Sequence, residues 1–496
     1  MAEATLLHNG LLVDGNNTPG WLADVLLQGE RILAIGAVGQ LDVDALLGKG
    51  ARVTQVDCTG KVIAPGFIDV HTHDDAAVLD APDMLPKLSQ GITTVITGNC
   101  GISLVPMVSE APQAPLSLLG RKQFRFAGIA AYARAVAAQP SAVNVAALVG
   151  HTTLRMCHMD RLDRPATPLE LDAMAHDLHQ AMVQGALGLS SGVFYQEAYA
   201  ADQGELTALA CVAARAGGIY ATHIRDELAG ILPALQEAAL TANQAGLPLV
   251  LSHHKCAGPA NWGRTQETLP LIDRLAQSQE IAMDVYPYTA GSTVLREDLV
   301  DGVIDILITG SQSHPGMAGR YLADIAKHWD LSQRDACLRL MPGGACYFQM
   351  REDDVERVIA HPLSMIGSDG LPHDERPHPR LWGAFPRVLA CYWREKGILQ
   401  LEQAIHKMSG MSARRFKLDG RGVVQAGNFA DIVVFDPLKV KDMATYENPM
   451  QLSAGIEQVW VNGVLSYSPQ ACGRGVCARA GRFIRREGTL HVGPLI

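Results

Sequence analysis

The sequence predicts an α/β fold: a (β/α)8 barrel of the TIM type with a small β-sandwich domain formed by the two chain ends. The first observation is that the middle of the chain alternates eight times between a short apolar β run and a longer Ala- and Leu-rich segment with helical periodicity. The second is that both ends contain short β runs separated by Asn-Gly and Asp-Gly turns. Eight repeats of strand and helix favour a closed barrel over an open sheet.

The two ends are the predicted β domain. Residues 5–56 contain hairpin-like runs, and residues 428–435 and 456–466 alternate or run apolar between turn residues, as antiparallel strands do. One sheet built from both ends accounts for both patterns. We therefore assign 1–61 together with 418–496 to a single β domain.

The barrel is predicted to span 62–417. Its eight β runs lie at 62–71, 92–98, 143–150, 185–191, 218–223, 247–253, 281–287 and 363–369. Helical periodicity is clearest at 168–184, 205–216, 231–245 and 401–416. About 75 residues separate the last two β runs, which is too many for an ordinary connection. We expect 291–350 to be an insertion that covers the barrel mouth.

Composition excludes several classes of protein. The chain has 496 residues, of which 48% are hydrophobic and 19% charged, as in a globular protein with a large core. Its net charge is −10, and it has no basic block for nucleic acid and no apolar stretch long enough for a membrane. Ten cysteines occur without a Cys-x-x-Cys pair, which argues against a disulfide framework. We expect a cytoplasmic protein, and the sequence does not indicate its oligomeric state.

Polar residues follow the predicted barrel strands, where barrel enzymes build their active sites. In chain order they are His71 and His73, Cys100, His151, Ser190 and Ser191, His223, His253, Tyr286 and Asp369. Several imidazoles, a thiol and a carboxylate at one barrel mouth are the ligands of a transition metal. With mixed nitrogen and sulfur ligands, zinc is the expected ion.

Each of these residues also has a simpler interpretation. His71 and His73 are two residues apart, which on a strand turns both rings to one face, although an isolated pair of this kind can be solvated. His223 and His253 each end a β run and could instead be hydrogen-bonded barrel residues. Asp369 could exchange a proton with a metal-activated water, or it could cap the following turn.

Five longer motifs resemble a known family. They are GITTVITGNCG (91–101), VGHTTLR (149–155), LSHHKCAG (251–258), VYPYTAGST (285–293) and SDGLPHDERPHPRLWGAFPRVL (368–389). Together with GFIDVHTH at 66–73, they resemble the N-acyl-D-amino-acid deacylases, or D-aminoacylases, of the amidohydrolase superfamily. The resemblance covers about residues 5–465.

The resemblance implies zinc-dependent hydrolysis of the amide in an N-acyl-D-amino acid, a small-molecule substrate. It implies one tight zinc site at Cys100, His223 and His253. His71 and His73 would then face a second, weaker site, with Cys100 between the two.

The same resemblance implies further roles in the reaction. Asp369 would be the acid and base, and Tyr286, Ser292 and Arg380 would bind the substrate α-carboxylate. Lys255 could add positive charge to that pocket, or it could be an exposed lysine at a strand end.

The acyl carbonyl and the substrate side chain need partners as well. Tyr195 or His151 could polarise the carbonyl, although His151 could equally be structural. Arg296 could select an acidic side chain such as that of D-glutamate, or it could pair on the surface with Glu297 or Asp298.

Two other functions remain open at this point. The first is another amidohydrolase reaction, either cleavage of a dipeptide with a C-terminal D-residue or opening of a cyclic amide. The second is a non-catalytic scaffold with the same fold. Scaffolds of this kind typically lose metal ligands, whereas the proposed ligands are all present here.

Overall fold

Eight parallel strands form a barrel at the centre of the protein. The computed structural model describes residues 4–110, 112–120, 124–473 and 475–486. The barrel strands are Phe67–Asp69, Ile92–Thr97, Asn144–Ala147 with its continuation Val149–Gly150, Gly188–Gly192, Ile219–His223, Leu249–Leu251, Ile281–Val285 and Ser364–Ile366. They pair in chain order, and the Thr72–Gly370 bridge joins the last strand to the first. The predicted barrel is confirmed.

Helices surround the barrel. The longer ones are Ile129–Ala138, His151–His158, Pro168–Val183, Gln203–Arg215, Ile231–Ala245, Thr265–Leu275, Glu352–Ala360, Arg380–Arg387, Leu401–Met408 and Gly410–Arg415. A π-helix, Val388–Glu395, continues from Arg387. Short helical turns are Val43–Leu47, Ala77–Asp80, Leu85–Leu88, Leu116–Leu119, Gln196–Tyr199, Pro259–Asn261, Glu297–Leu299 and Pro315–Met317. Among the described residues, none of the helices has the length and apolar composition needed to cross a membrane.

Strands from both chain ends form one mixed eight-stranded sheet. These strands are Ala4–Leu12, Trp21–Gln28, Arg31–Ala37, Val53–Asp57, Val62–Pro65, Ile432–Phe435, Ile456–Val461 and Val464–Tyr467. Val62–Pro65 is central, because it pairs with strands from both ends. The β domain built from both ends, which the fold prediction contains, is therefore present.

The run 62–71 differs from its interpretation as one strand. It contains two strands, because Gly66 interrupts it: Val62–Pro65 belongs to the sheet of the chain ends, and Phe67–Asp69 opens the barrel. Gly66 is required by a close approach, since a Cβ there would lie 2.2 Å from the Thr93 side chain. The two domains thus meet within two residues.

The chain between the last two barrel strands forms a separate layer above the mouth. Strands Gly291–Val294, Ile306–Ser311 and Gly343–Tyr347 make an antiparallel sheet, and helices Leu322–Trp329 and Gln333–Leu340 pack on it. This layer has its own apolar core, which includes Ile308, Ile325 and Tyr347. A further hairpin, Met107–Ser109 with Phe124–Phe126, follows the second barrel strand.

A buried ion pair joins the first barrel strand to the last. Lys87 Nζ lies 2.8 Å from Asp69 Oδ2 and donates to Ser368 Oγ at 2.9 Å. Asp69 Oδ1 accepts the Ser368 backbone N–H at 2.8 Å. Lys87 and Asp69 are fully buried, so these contacts hold the closure of the barrel where backbone pairing is sparse.

The chain after the terminal sheet returns to the barrel. Phe483 forms a β bridge with Val145 and packs edge-on against Tyr132. Before it, a disulfide joins Cys472 to Cys477. The cysteine spacing argued against a disulfide framework. That prediction is corrected for one short loop, which this bridge closes.

Candidate metal centre

The carboxyl ends of the barrel strands bring most of the predicted residues together. Along the fifth strand, Ile219 and Ala221 face the barrel interior, so the two-residue period also turns His223 inward. On the sixth strand Val250 faces the interior, and strict alternation would turn His253 away from it. The strand ends at Leu251, however, and a left-handed backbone at His253 (φ +36°) redirects its ring into the mouth.

One group of side chains consists of Cys100, His223 and His253. Their ligand atoms lie within 4.8 Å of one another, and all three residues are buried. The Cys100 Sγ lies 3.4 Å from His253 Nε2. Cys100 also has a left-handed backbone (φ +53°), which is uncommon outside glycine and places the thiol at the end of the second strand.

A second group shares Cys100 with the first and adds His71, His73 and Asp369. The Cys100 Sγ lies 3.2 Å from His71 Nε2, and His73 Nε2 lies 3.2 Å from Asp369 Oδ1. Burial by itself would raise the pKa of the Cys100 thiol, but the His71 and His253 rings lower it well below its ordinary value. Thiolate and imidazole donors are the ligands that zinc prefers, so these residues fit a zinc ion.

Two carboxylates that the sequence analysis did not single out contact the histidines. Glu227 Oε1 lies 3.1 Å from His253 Nδ1, and Asp284 Oδ2 lies 3.1 Å from His71 Nδ1. Both residues are buried. The signal for Asp284 was present, since it is the one charged residue in the apolar run IAMDVYP at 281–287. Glu227 lies in a loop, four residues after His223, and no pattern marks it.

Lys255 is buried and held by Glu227. Its Nζ lies 2.6 Å from Glu227 Oε1 and donates to the His253 carbonyl at 3.0 Å. Burial would lower the pKa of Lys255, but Glu227 raises it above its usual value, so the ammonium stays charged. The alternative of an exposed lysine does not apply, because Lys255 lines the inner cavity described below.

Asp369 forms an ion pair with Arg380. The Arg380 Nη1 lies 2.9 Å from Asp369 Oδ2, and Arg380 is fully buried. Burial would raise the pKa of Asp369, but Arg380 and His71 hold it well below its usual range. The carboxylate is therefore ionised, as a proton acceptor must be.

Arg380 stands beside Tyr286 and Ser292. Its guanidinium carbon lies 4.5 Å from the centre of the Tyr286 ring, and Nη2 donates to the Ser292 carbonyl at 3.0 Å. Within the described part of the chain, the Tyr286 hydroxyl and Arg380 Nε are buried without a hydrogen-bond partner. Tyr286 lines the inner cavity described below, and Arg380 lies against its ring, so these unused buried donors indicate a site for an anionic group.

Tyr195 lies at the mouth, whereas His151 lies elsewhere. The Tyr195 ring packs edge-on against His223, with ring centres 5.1 Å apart. His151 Nε2 lies 2.8 Å from Glu205 Oε1, which also pairs with Arg155. His151 does not line the cavity that His223 and Asp369 line, so a role at the acyl carbonyl is not supported by its position.

Arg296 is occupied by other partners. Its guanidinium forms two hydrogen bonds to Asp298, at 2.9 and 2.5 Å, and lies 4.4 Å over the Phe194 ring. Phe194 in turn stacks on His223. Arg296 lines only the outer cleft, as the alternative of a surface ion pair implies.

A small inner cavity contains the candidate centre and opens into a larger cleft. The polar residues that line the inner cavity include His73, His223, Glu227, His253, Lys255, Tyr286, Ser292, Thr293, Gln349 and Asp369, and apolar side chains complete the lining. The outer cleft has a volume of about 1820 Å³ and runs between the insertion layer and the segments at 112–118 and 194–200. Leu118, Phe194, Tyr195 and Leu228 line both spaces, so they stand at the passage between them.

Comparison with known proteins gives the relatives of this chain. It is 49% identical to a D-aminoacylase of Alcaligenes xylosoxydans xylosoxydans, over 94% of this chain and 95% of the relative. It is 43% identical to an N-acyl-D-glutamate deacylase of the same organism, over 99% and 98%. The solved structure of an N-acyl-D-glutamate deacylase from Bordetella bronchiseptica, in complex with zinc and a phosphonate inhibitor, superimposes with a TM-score of 0.91 at 44% identity, covering 97% of this chain and 99% of that one.

These relatives confirm the resemblance inferred from the motifs. The model of the amidohydrolase family also matches residues 54–284 and 336–467, which together are most of the chain. The protein therefore belongs to the amidohydrolase family.

Proposed function

We propose that this protein is a zinc-dependent hydrolase that cleaves the amide bond of N-acyl-D-amino acids into a carboxylate and a free D-amino acid. The observation that carries the proposal is a buried barrel mouth. Nitrogen and sulfur ligands lie there beside an ionised Asp369 and beside Arg380, whose Nε has no hydrogen-bond partner among the described residues. Such a hydrolysis needs a metal, a proton carrier and a partner for the substrate α-carboxylate. The ligands would hold the metal, Asp369 would carry the proton, and Arg380 would bind the carboxylate.

Cys100, His223 and His253 would hold the tightly bound zinc, and His71 and His73 would complete a second, weaker site with Cys100 between them. When bound there, zinc would supply the activation of a water molecule and the polarisation of the acyl carbonyl. Asp369, 3.2 Å from His73 Nε2, would accept the proton of the attacking water and return it to the leaving nitrogen.

The α-carboxylate would bind at Arg380, Tyr286 and Ser292. Arg380 offers a planar pair of donors, of which Nε is free within the described residues. Because Arg380 also pairs with Asp369, binding of the substrate places its carboxylate next to the proton carrier. Lys255 adds a positive charge to the same cavity, although Glu227 already neutralises much of it.

Tyr195 is the proposed partner of the acyl carbonyl. It lies between the inner cavity and the outer cleft, with its hydroxyl 3.4 Å from Thr293 Oγ1. We assign His151 a structural role instead, since Glu205 engages its ring.

For the amino-acid side chain we propose an apolar group. The inner cavity is lined in part by Leu118, Phe194, Leu299 and Leu371, and none of its described lining residues is an arginine, since Arg380 lies against Asp369 and Tyr286 of that lining. Arg296 would have to leave both Asp298 and Phe194 to reach an acidic side chain. N-acetyl derivatives of D-Leu, D-Met, D-Phe and D-Glu, assayed side by side, test this: preference for the D-Glu derivative would contradict it.

Metal analysis together with release of free D-amino acid tests the function as a whole. We expect zinc in the purified protein and release from N-acetyl-D-leucine but not from its L-enantiomer. Metal-free protein without hydrolysis would favour the scaffold, and cleavage of dipeptides or cyclic amides in preference to N-acyl-D-amino acids would favour the other reactions. We also propose a cytoplasmic location, which cell fractionation tests.

A further inference from the structure

We propose that Asp284 is a positioning residue that couples the two metal subsites by holding one histidine of each with a single carboxylate. The inference rests on the proposed metal centre and concerns a residue that does not itself reach a metal position. Asp284 belongs to the seventh barrel strand and is 1% exposed. Its Oδ2 lies 3.1 Å from His71 Nδ1, and its Oδ1 accepts the backbone N–H of His253 at 3.0 Å.

The first contact fixes the ring of His71. A nitrogen that faces a carboxylate oxygen carries the proton, so Nδ1 donates to Asp284. The lone pair of the other nitrogen, Nε2, is then free for a metal, and Nε2 lies 3.2 Å from the Cys100 Sγ. Without an acceptor at Nδ1, the ring loses both its fixed tautomer and its fixed orientation.

The second contact fixes the backbone of His253. The residue is left-handed (φ +36°), and a side chain other than glycine adopts this conformation only when its surroundings hold it there. The N–H of His253 points at Asp284 Oδ1, and the next N–H, that of His254, donates to the Asp284 carbonyl at 2.8 Å. Since strand alternation alone would turn His253 outward, these bonds stabilise the conformation that brings its ring to Cys100.

Both oxygens of Asp284 are therefore used as acceptors, one for each subsite. An asparagine has a single accepting oxygen, and its NH2 group is a donor. In Asp284→Asn the amide oxygen can accept from the His71 ring or from the His253 backbone, but not from both. An NH2 group turned to His71 Nδ1 would favour the tautomer with its proton on Nε2, which leaves no lone pair for a metal. The variant is expected to keep one subsite and weaken the other, which a residue with a purely structural role would not do.

The test is a metal titration of the metal-free protein with Co²⁺, followed by the thiolate-to-cobalt absorption and by metal content after dialysis. In Asp284→Asn we expect one binding step to weaken 10- to 100-fold, which is the usual effect of losing an outer partner of a metal ligand. The matched control is Asp354→Asn, another buried carboxylate, which contacts Gly263 and Arg357 rather than the centre. The control should bind Co²⁺ like the wild type.

Two results would overturn the proposal. The first is binding within threefold of the wild type at every step. The second is equal weakening of all steps together with a lower thermal midpoint of the metal-free protein than Asp354→Asn shows, because that pattern indicates general loss of structure. Should Asp284→Asn fail to fold, Asp284→Glu keeps both acceptors but displaces them; it should weaken one step, and wild-type affinities in it would also overturn the proposal.

The titration is independent of turnover. Absence of D-amino acid release from the wild type would refute the proposed function and leave the coupling by Asp284 intact. Normal release together with unchanged metal affinities in Asp284→Asn would refute only the coupling.

Discussion

Replacement of Asp369 by Asn is expected to lower the rate of hydrolysis and to leave zinc binding intact. The carboxylate contacts His73 Nε2 at 3.2 Å and Arg380 Nη1 at 2.9 Å. It is the proposed proton acceptor, whereas Glu227, the other carboxylate in the cavity lining, is held by Lys255 and His253. The amide cannot accept that proton. General acid–base catalysis contributes about 10²- to 10⁴-fold to a rate, so kcat is expected to fall by that factor, or by about 3 to 5 kcal/mol in activation free energy.

The same substitution leaves Arg380 buried without its anion. Loss of one partner from a buried ion pair costs about 3 kcal/mol in the free energy of unfolding, and the Asn oxygen, which can still accept one hydrogen bond, reduces that loss. Zinc at Cys100, His223 and His253 should remain, because Asp369 is not in that group.

The assay follows release of D-leucine from N-acetyl-D-leucine, with metal content and thermal unfolding measured on the same sample. KM should not rise, since removal of the Asp369 charge leaves Arg380 free for the substrate carboxylate. Asp354→Asn serves as a control for neutralising a buried carboxylate outside the site. Near-normal kcat in Asp369→Asn with zinc retained would refute the assignment of Asp369 as the proton carrier.

Three further predictions concern the centre and the scaffold. In Gly192→Ala the new Cβ would lie 2.0 Å from the Cys100 carbonyl oxygen, so the Cys100 turn must move; zinc content should fall and stability should drop by about 1–3 kcal/mol, and full zinc content would contradict this. Chelation should abolish hydrolysis and added Zn²⁺ should restore it, whereas turnover that survives complete removal of metal would exclude a metal-dependent reaction. Burial lowers the pKa of Lys407 from 10.5 to about 8, so the folded protein loses this proton before the unfolded chain does, and stability should rise from pH 8 to 10.5. Between these pH values the free energy of unfolding, measured by urea denaturation, should rise by about 3 kcal/mol more than it does in Lys407→Met. The same pH dependence of this free energy in both proteins would contradict the prediction.

The strand ends were predictable because a barrel obeys a simple rule. Parallel strands deliver their carboxyl ends to one face, so the residues that follow the β runs had to meet there. Cys100, His223 and His253 were found in this way. The rule failed for His151, which follows the third strand but begins a helix and pairs with Glu205.

The carboxylates behind the histidines could not be found by the same rule. Glu227 lies in a loop, and its distance from His253 depends on how that loop returns to the barrel. The partner of Arg296 was one of two neighbouring acids, and it is Asp298 because the other, Glu297, pairs with Arg334 from a different helix of the insertion layer. Such contacts depend on distances between segments that are far apart in the chain.

The sequence by itself determined the barrel, the β domain built from both ends and the kind of ligands at the mouth, because strand period, turn residues and donor chemistry are local properties. The tertiary structure decided which donors converge on one point and which charges neutralise each other. It placed Asp284 between His71 and His253, and it paired Arg380 with Asp369. The physical reason is that hydrogen bonds and ion pairs act over about 3 Å, a precision that only the packed chain provides.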